Sequence, residues 1–122
     1  MAESHVLGQK GESLAATYLE EAGYKIRHKN WKSGRKELDI VAENKDFIVF
    51  AEVKTRTGNF PDQHPGELVS REKQRMIQFA AEDYMRKYEI TKENRFDVII
   101  IKSYGRSMEI EHIPYAFYPA LR

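Results

Sequence analysis

The sequence predicts a mixed α/β fold in which helices cover a central sheet, with the element order α-β-β-β-α-β-β. Two segments carry apolar residues at helical spacing, and five strand-length segments alternate or are rich in β-branched and aromatic residues. At 122 residues, 41% hydrophobic and 32% charged, the chain has the length and composition of one globular domain. We expect that domain to span residues 1–122.

The first helix is predicted over residues 8–22, "GQKGESLAATYLEEA", and Gly23 is expected to end it. Its apolar side chains form one stripe at helical spacing: Leu14, Ala15, Tyr18, Leu19 and Ala22. Residues 24–31 then alternate apolar or aromatic side chains with basic ones, which is typical of a half-buried strand. The following "KSGRK" predicts a turn.

Two more strands are predicted at residues 36–43 and 47–56, with a tight turn at 44–46 between them. Residues 57–68 contain two prolines and two glycines, so we expect a loop there. The hairpin and the loop together bring the chain from the sheet to the second helix.

That second helix is predicted over residues 71–88, with Ser70 as its N-cap. Its apolar residues follow helical spacing: Ile77, Ala81, Tyr84 and Tyr88. Residues 95–102 predict a buried strand, and residues 107–113 predict a shorter one. The tail after residue 113 contains two prolines, and we expect it to run over the surface.

Composition excludes several classes of site. The chain has no cysteine, which excludes disulfides and thiolate metal sites, and its four histidines are far apart in sequence. Any metal would therefore be a hard cation bound by oxygen atoms. The amino terminus lacks the apolar core of a signal peptide and no later run could span a bilayer, so we expect a cytoplasmic protein that does not contact a membrane.

A basic run occupies residues 24–36, although the net charge of the whole chain is only +1. The run contains no acid and six cations: Lys25, Arg27, Lys29, Lys32, Arg35 and Lys36. One interpretation is a solvated strand and turn. The other is a surface that contacts the phosphates of a nucleic acid.

Two carboxylates lie inside apolar strands, where an unpaired charge is costly to bury. If residues 45 and 46 form the hairpin loop, the numbers of opposed residues sum to 91. That register pairs apolar residues on one face: Leu38 with Val53, Ile40 with Ala51 and Ala42 with Val49. On the other face it sets Asp39 against Glu52 and Glu37 against Lys54.

Opposed carboxylates repel each other unless a divalent cation lies between them. Mg²⁺ takes one or two carboxylates and completes its shell with water and phosphate oxygens, and the carbonyl of Val53 could add a ligand. Lys54, on the same face as Glu52, could hold a water and stabilise charge on a phosphate. The alternative is a surface hairpin in which Glu37–Lys54 and Glu52–Arg56 form ion pairs.

The acids and the lysine resemble a known motif. Asp39 followed by Glu52-Val53-Lys54 resembles the PD-(D/E)xK signature of the restriction-endonuclease-like fold. The helix-first arrangement is similar to that of archaeal Holliday-junction resolvases. The whole chain resembles the YraN-like family of uncharacterised bacterial proteins through the segments "GQKGESLAATYLEEAGYKI", "ELDIVAE", "FAEVKTR", "VSREKQRMI", "RFDVI" and "EHIPYAF".

The resemblance implies roles for individual residues. It makes Asp39 and Glu52 metal ligands and Lys54 the catalytic lysine, and it matches Glu12 to an extra acid that resolvase-like nucleases bring to the metal. Leu38 stands where the signature often has proline. Arg56 and Lys73 match basic positions that could reach phosphates, or they could be ordinary surface charges.

From these residues we expect an endonuclease that uses Mg²⁺ or Mn²⁺ to hydrolyse DNA, including branched or junction DNA. The basic run would bind the DNA backbone, and two chains acting as a homodimer would suit the cutting of two strands. One alternative is a nucleic-acid-binding module of the same fold without turnover. Another is a structural interaction domain, which would have no metal affinity.

Overall fold

The computed structural model describes residues 2–57 and 68–118, and it describes side chains from residue 10 onward. In that part of the chain two helices and five strands follow the predicted order. They are α1 (Ala2–Glu21), β1 (Lys25–Ser33), β2 (Lys36–Glu43), β3 (Phe47–Thr57), α2 (Arg71–Lys87), β4 (Glu93–Tyr104) and β5 (Ser107–Phe117).

The five strands form one sheet in sequence order, β1-β2-β3-β4-β5. Strands β3 and β4 are parallel, and every other neighbouring pair is antiparallel. The parallel pair requires a long crossover, and α2 lies within it. The predicted fold class is confirmed, because this mixed sheet and element order are those of a restriction-endonuclease-like fold.

The two helices cover opposite faces of the sheet. One buried cluster joins α1 to β2, β3 and β4: Ala15, Ala16, Leu19, Ile40, Ala42, Ala51, Ile99 and Ile101. The other joins α2 to the sheet and contains the large side chains of Tyr84, Phe50 and Phe96. Since Phe50 and Ala51 are neighbours on β3, their side chains point to opposite faces. The sheet is therefore the middle layer of three.

The helix ends agree with the predicted capping signals. Helix α1 ends at Glu21, and Gly23 has a φ of 98°, a conformation that glycine adopts without strain. Helix α2 begins after Ser70, whose Oγ accepts a hydrogen bond from the backbone N–H of Lys73 at 3.1 Å. The cap therefore fixes where Lys73 leaves the first turn of α2.

Strands β1 and β4 each extend two residues beyond their predicted ends, and two boundaries differ by more. Helix α1 begins at Ala2 rather than at residue 8, because Gly8 and Gly11 weaken the helical signal without interrupting the helix. Strand β5 continues to Phe117, so residues 114–117 are part of the sheet rather than a surface tail. Proline is tolerated at position 114 because β5 is an edge strand. Residues 58–67 of the predicted loop and residues 119–122 of the tail lie outside the described residues.

Gly11 lies where α1 approaches β3. A Cβ added to Gly11 would collide with Cγ2 of Thr55. Glycine inside a helix costs about 1 kcal/mol relative to alanine, and this close approach accounts for its presence. Glu12 follows directly, so the contact also sets the height of Glu12 above the sheet.

Neither helix of the described chain combines the length and the apolar character that crossing a membrane requires.

Candidate active site

The hairpin between β2 and β3 has the predicted register. Ile40 faces Ala51 and Ala42 faces Val49, so opposed residue numbers sum to 91. The turn is closed by a hydrogen bond from the backbone N–H of Asn44 to the carbonyl of Phe47, at 3.1 Å. The apolar pattern of the two strands therefore predicts their pairing correctly.

The ladder between β2 and β3 stops at Ile40 and Ala51, one position short of the two acids. Beyond it, Oδ2 of Asp39 accepts a hydrogen bond from the backbone N–H of Val53 at 2.9 Å. The carboxylate thus bonds an N–H that a continued ladder would use.

The predicted rungs beyond that point are therefore wrong: the described ladder contains no Leu38–Val53, Asp39–Glu52 or Glu37–Lys54 pair. Leu38 belongs to the cluster beneath α2, whereas Ile40 and Ala42 belong to the cluster beneath α1. Side-chain alternation is interrupted at Asp39, and the strands separate there.

Glu52 is the most strongly perturbed acid of this region. It is only 7% exposed, and Oε1 lies 3.7 Å from Nζ of Lys54 and 3.8 Å from Nζ of Lys73. Burial, followed by the charge of Asp39, raises the pKa of Glu52 to about 7, although both lysines act in the other direction. Asp39, Glu52 and Lys54 therefore interact at one place, joined by Lys73 from α2.

Among the described residues, Glu12 is linked to this region only through Asn30. Its Oε2 accepts a hydrogen bond from Nδ2 of Asn30 at 3.0 Å. Asn30 sits between Lys29 and Trp31, whose partners on β2 are Ile40 and Leu38, so it is level with Asp39.

Asn30 is the residue of this site that the sequence analysis missed. Its φ of 52° lies in the left-handed region, which asparagine tolerates better than most residues. The sequence does contain a signal for this irregularity, because asparagine is disfavoured in strands and interrupts the alternation of "KIRHKNWK". Its conformation turns the amide toward α1 and links Glu12 to the strand position beside Asp39.

The basic run divides into two groups. Four of its cations are exposed: Lys25, Lys29, Lys32 and Arg35. Arg27 instead donates from Nε to the hydroxyl of Tyr84 and from Nη1 to Oε1 of Glu43, both at 2.9 Å, and these contacts raise its pKa. Nζ of Lys36 lies 3.3 Å from Oδ2 of Asp83.

Arg56 and Lys73 differ in what they contact. Nη1 of Arg56 donates to the carbonyl of Thr55 at 2.9 Å, which holds the guanidinium against its own strand. Lys73 reaches Glu52 from the first turn of α2, so it is directed at the acids.

Asp39 and Glu52 could hold a Mg²⁺ ion that keeps several waters, because carboxylate oxygens are the ligands it prefers. Burial and the nearby charge of Asp39 raise the pKa of Glu52 despite the two lysines, and a bound cation would favour its ionised form. Within the described residues, no group of three or more histidines, cysteines, aspartates or glutamates is placed to hold a metal.

Because the pKa of Glu52 is raised, we expect the metal-free protein to lose stability as pH rises from about 4.5 to about 7. In that window the folded state keeps a proton that an unfolded glutamate releases, so the free energy of unfolding falls with increasing pH. Each unit of pKa difference corresponds to about 1.4 kcal/mol. Glu52→Gln removes this titration.

Urea unfolding in EDTA from pH 4 to pH 8, with wild type and Glu52→Gln side by side, measures the effect. Other carboxylates titrate in both proteins, and the difference between the two curves isolates Glu52. We expect the variant to gain stability relative to the wild type across this window. A difference that does not change with pH would show that Glu52 is ionised normally.

Comparison with known proteins places the chain among bacterial relatives. The model of the uncharacterised protein family UPF0102 matches residues 11–101. A UPF0102 protein of Bacteroides thetaiotaomicron is 45% identical over 121 residues, covering 99% of both chains. Another, from Geobacter metallireducens, is 47% identical over 112 residues and 91% of both chains. One from Porphyromonas gingivalis is 43% identical over 119 residues, covering 96% of this chain and 87% of the relative.

Proposed function

We propose that this chain, which belongs to the uncharacterised protein family UPF0102, is a magnesium-dependent endonuclease that hydrolyses phosphodiester bonds in DNA. This is the YraN-like family that the sequence motifs predicted. The observation that carries the proposal is the meeting of Asp39, buried Glu52 and Lys54 where β2 and β3 separate. Perturbed carboxylates beside a lysine are typical of catalytic sites.

In this proposal Asp39 and Glu52 bind the cation, with the carbonyl of Val53 as a further ligand. Bound Mg²⁺ would lower the pKa of a water and neutralise phosphate charge. Glu12 supports the site from α1, through Asn30 or through a water. Asp39 and Glu52 would thus bind the ion directly, and Glu12 and Asn30 would orient the groups around it.

Lys54 has a different task, because it can donate hydrogen bonds but cannot accept them. Its ammonium group lies beside Glu52 and would orient the attacking water and stabilise the charge that grows on the phosphate. It would therefore act mainly in the transition state. Lys73, whose Nζ lies 3.8 Å from Oε1 of Glu52, would also offset the charge of the bound phosphate.

DNA would reach the site along the exposed cations of the basic run: Lys25, Lys29, Lys32 and Arg35. Such contacts supply affinity with little base specificity. Arg27 is not part of this surface, because its guanidinium is engaged by Tyr84 and Glu43.

The alternative is a nucleic-acid-binding module without turnover, and one observation favours it. Glu52 already has two ammonium groups within 4 Å, from Lys54 and Lys73. A cation would have to displace or weaken these ion pairs to bind. In a binding module the ion pair between Glu52 and Lys73 would simply hold β3 against α2.

A cleavage panel separates the two functions. Single-stranded, duplex, flap and four-way-junction DNA would each be incubated with Mg²⁺, with Mn²⁺ and with EDTA. We expect endonucleolytic products that depend on the divalent ion, and the branched substrates test the resolvase-like specificity. Binding to these substrates with no metal-dependent product from any of them would support the binding module.

Asp39→Asn is expected to make the metal-free protein equally or more stable while weakening Mg²⁺ binding. The asparagine oxygen can still accept from the N–H of Val53, and the repulsion of Glu52 disappears. Thermal melts in EDTA and across a Mg²⁺ titration measure both effects, with Asp46→Asn in the exposed turn as the matched control. A clear loss of stability in EDTA would instead assign Asp39 a structural role.

A further inference from the structure

A polar groove of about 410 Å³ runs along α2, apart from the basic run. Among the described residues, its walls contain two guanidinium groups, two side-chain amides and one aromatic ring: Arg71, Gln74, Arg75, Gln78 and Tyr118. The four helix residues are spaced i, i+3, i+4 and i+7, so they share one face of α2. None of them belongs to the buried cluster beneath the helix.

Tyr118 forms the other wall and is held in place from both sides. Its carbonyl accepts a hydrogen bond from Nε2 of Gln78 at 3.3 Å. Its ring stacks on that of Tyr115, with centroids 5.9 Å apart and planes 27° from parallel. Tyr118 is 70% exposed and Tyr115 is 42% exposed, so the stacked rings present aromatic surface to solvent.

An unusual backbone conformation at Tyr115 sets the direction of the Tyr115 ring. Tyr115 has a φ of 54°, which is uncommon for an aromatic residue, and it lies where the pairing of β5 with β4 shifts register. Its N–H donates to Oδ1 of buried Asp97 at 3.2 Å, which holds the irregular strand in place. Bulges of this kind often redirect a side chain at a functional position.

A second cavity of about 220 Å³ continues the groove past Tyr118, which lines both. Tyr115 and Phe117 form part of its wall, and Arg95 lies beneath them, with Cζ 5.5 Å from the centre of the Tyr115 ring. Glu93 and Asn94 also line this cavity, so it adds aromatic rings to a surface that remains polar.

We propose that this surface, from Arg71 to Tyr115, binds a single-stranded segment of nucleic acid. Arg71 and Arg75 would contact phosphates, and the exposed ring of Tyr118, backed by Tyr115, would stack on an unpaired base. Bases in a duplex are already stacked on each other, so the rings select single strands. A single strand offers both partners, because its phosphates can contact the guanidinium groups and its unpaired bases can contact the aromatic ring.

The inference rests on the proposed function, because it assigns the path of a single-stranded arm of the substrate. Helix α2 connects the two places: Lys73 reaches Glu52 from its first turn, and Arg71 begins the groove at the same end. From Arg71 to Gln78 the helix rises about 10 Å. A strand leaving the acids along α2 would thus reach Tyr118 within a few nucleotides.

The test is fluorescence anisotropy in EDTA, where no cleavage occurs, with a labelled oligothymidylate and a duplex of equal length. We expect Tyr118→Ala to weaken single-strand binding by about tenfold or more and to change duplex binding less than twofold. Tyr118→Phe keeps the ring and should bind normally. Tyr104→Ala, also at an exposed ring on the sheet, is the matched control.

A salt series tests the phosphate contacts in the same assay. Arg71→Ala with Arg75→Ala should reduce the salt slope for the oligothymidylate by about 1.4, since each single-strand phosphate contact contributes about 0.7. Arg106→Ala, at the exposed turn after β4, is the control for removal of a positive charge. An unchanged slope would mean that neither guanidinium touches a phosphate.

Unchanged single-strand affinity in Tyr118→Ala, or no single-strand binding by the wild type, would overturn the inference. Either result could occur while duplex or junction DNA is still cut, in which case the proposed function stands without this path. Conversely, single-strand binding that depends on Tyr118 in a protein that cuts nothing would support the groove and refute the nuclease. Equal losses of single-strand and duplex affinity in Tyr118→Ala would also count against it.

Discussion

Lys54→Ala is expected to slow phosphodiester cleavage by at least about 100-fold and to change DNA affinity by no more than a few-fold. Removing one electrostatic contact to the developing charge typically costs about 10²–10³ in rate. An interaction made only in the transition state affects turnover and leaves substrate binding nearly intact. Single-turnover cleavage and filter binding in EDTA measure the two quantities separately.

Two other changes complete that experiment. Lys45→Ala removes an exposed lysine from the turn at the far end of the same hairpin and should cut and bind normally. Neutralising Lys29, Lys32 and Arg35 together should weaken binding to every sequence and lower the salt slope by about one unit for each phosphate that the protein no longer neutralises. If Lys54→Ala cuts and binds like the wild type, the nuclease assignment is wrong.

Asp97→Ala is expected to destabilise the protein by about 3–5 kcal/mol, a large share of the 5–15 kcal/mol that typically stabilises a domain. Asp97 is fully buried and accepts hydrogen bonds from Nε and Nη2 of Arg95, from Nε2 of His112 and from the N–H of Tyr115. Removing it leaves the guanidinium of Arg95 buried without its carboxylate.

The pKa of Asp97 agrees with this role. Burial alone would raise it, but the hydrogen bonds from His112 and Arg95 outweigh burial and lower it below the ordinary value. Urea unfolding at pH 7 measures the loss, with Asp46→Ala at an exposed turn as control. A change below about 1 kcal/mol would mean that the network is solvated.

The sequence predicts the site to the extent that strand geometry alone determines it. The apolar pattern of β2 and β3 specifies their register, because a slip of one residue would expose one apolar face. Glu52 and Lys54 are two apart on one strand, so they necessarily share a face. These rules bring Asp39 and Glu52 to the same end of the hairpin without reference to the rest of the chain.

Other features depend on contacts that sequence patterns do not encode. Arg27 stands in a run without acids, but its partner Glu43 lies 16 residues later, on the neighbouring strand β2. The left-handed conformation of Asn30 and the bulge at Tyr115 each require tertiary support, from Glu12 and from Asp97 respectively. Alternation along a strand predicts only regular backbone, so it does not predict irregular positions such as Asn30 and Tyr115, which are common at functional sites.

The parallel pairing of β3 with β4 has a consequence for how the protein folds. Each residue of β3 pairs with the residue 46 positions later, whereas the other strand pairs are joined by short turns. Pairing between distant residues carries a large entropic cost of loop closure and is slow. The β2–β3 hairpin can therefore form early, while β4 and α2, which bury Glu52, join it later. During synthesis, Asp39 and Glu52 would therefore come together while Glu52 is still solvated. The pKa of Glu52 would rise only after α2 and β4 have packed against the hairpin.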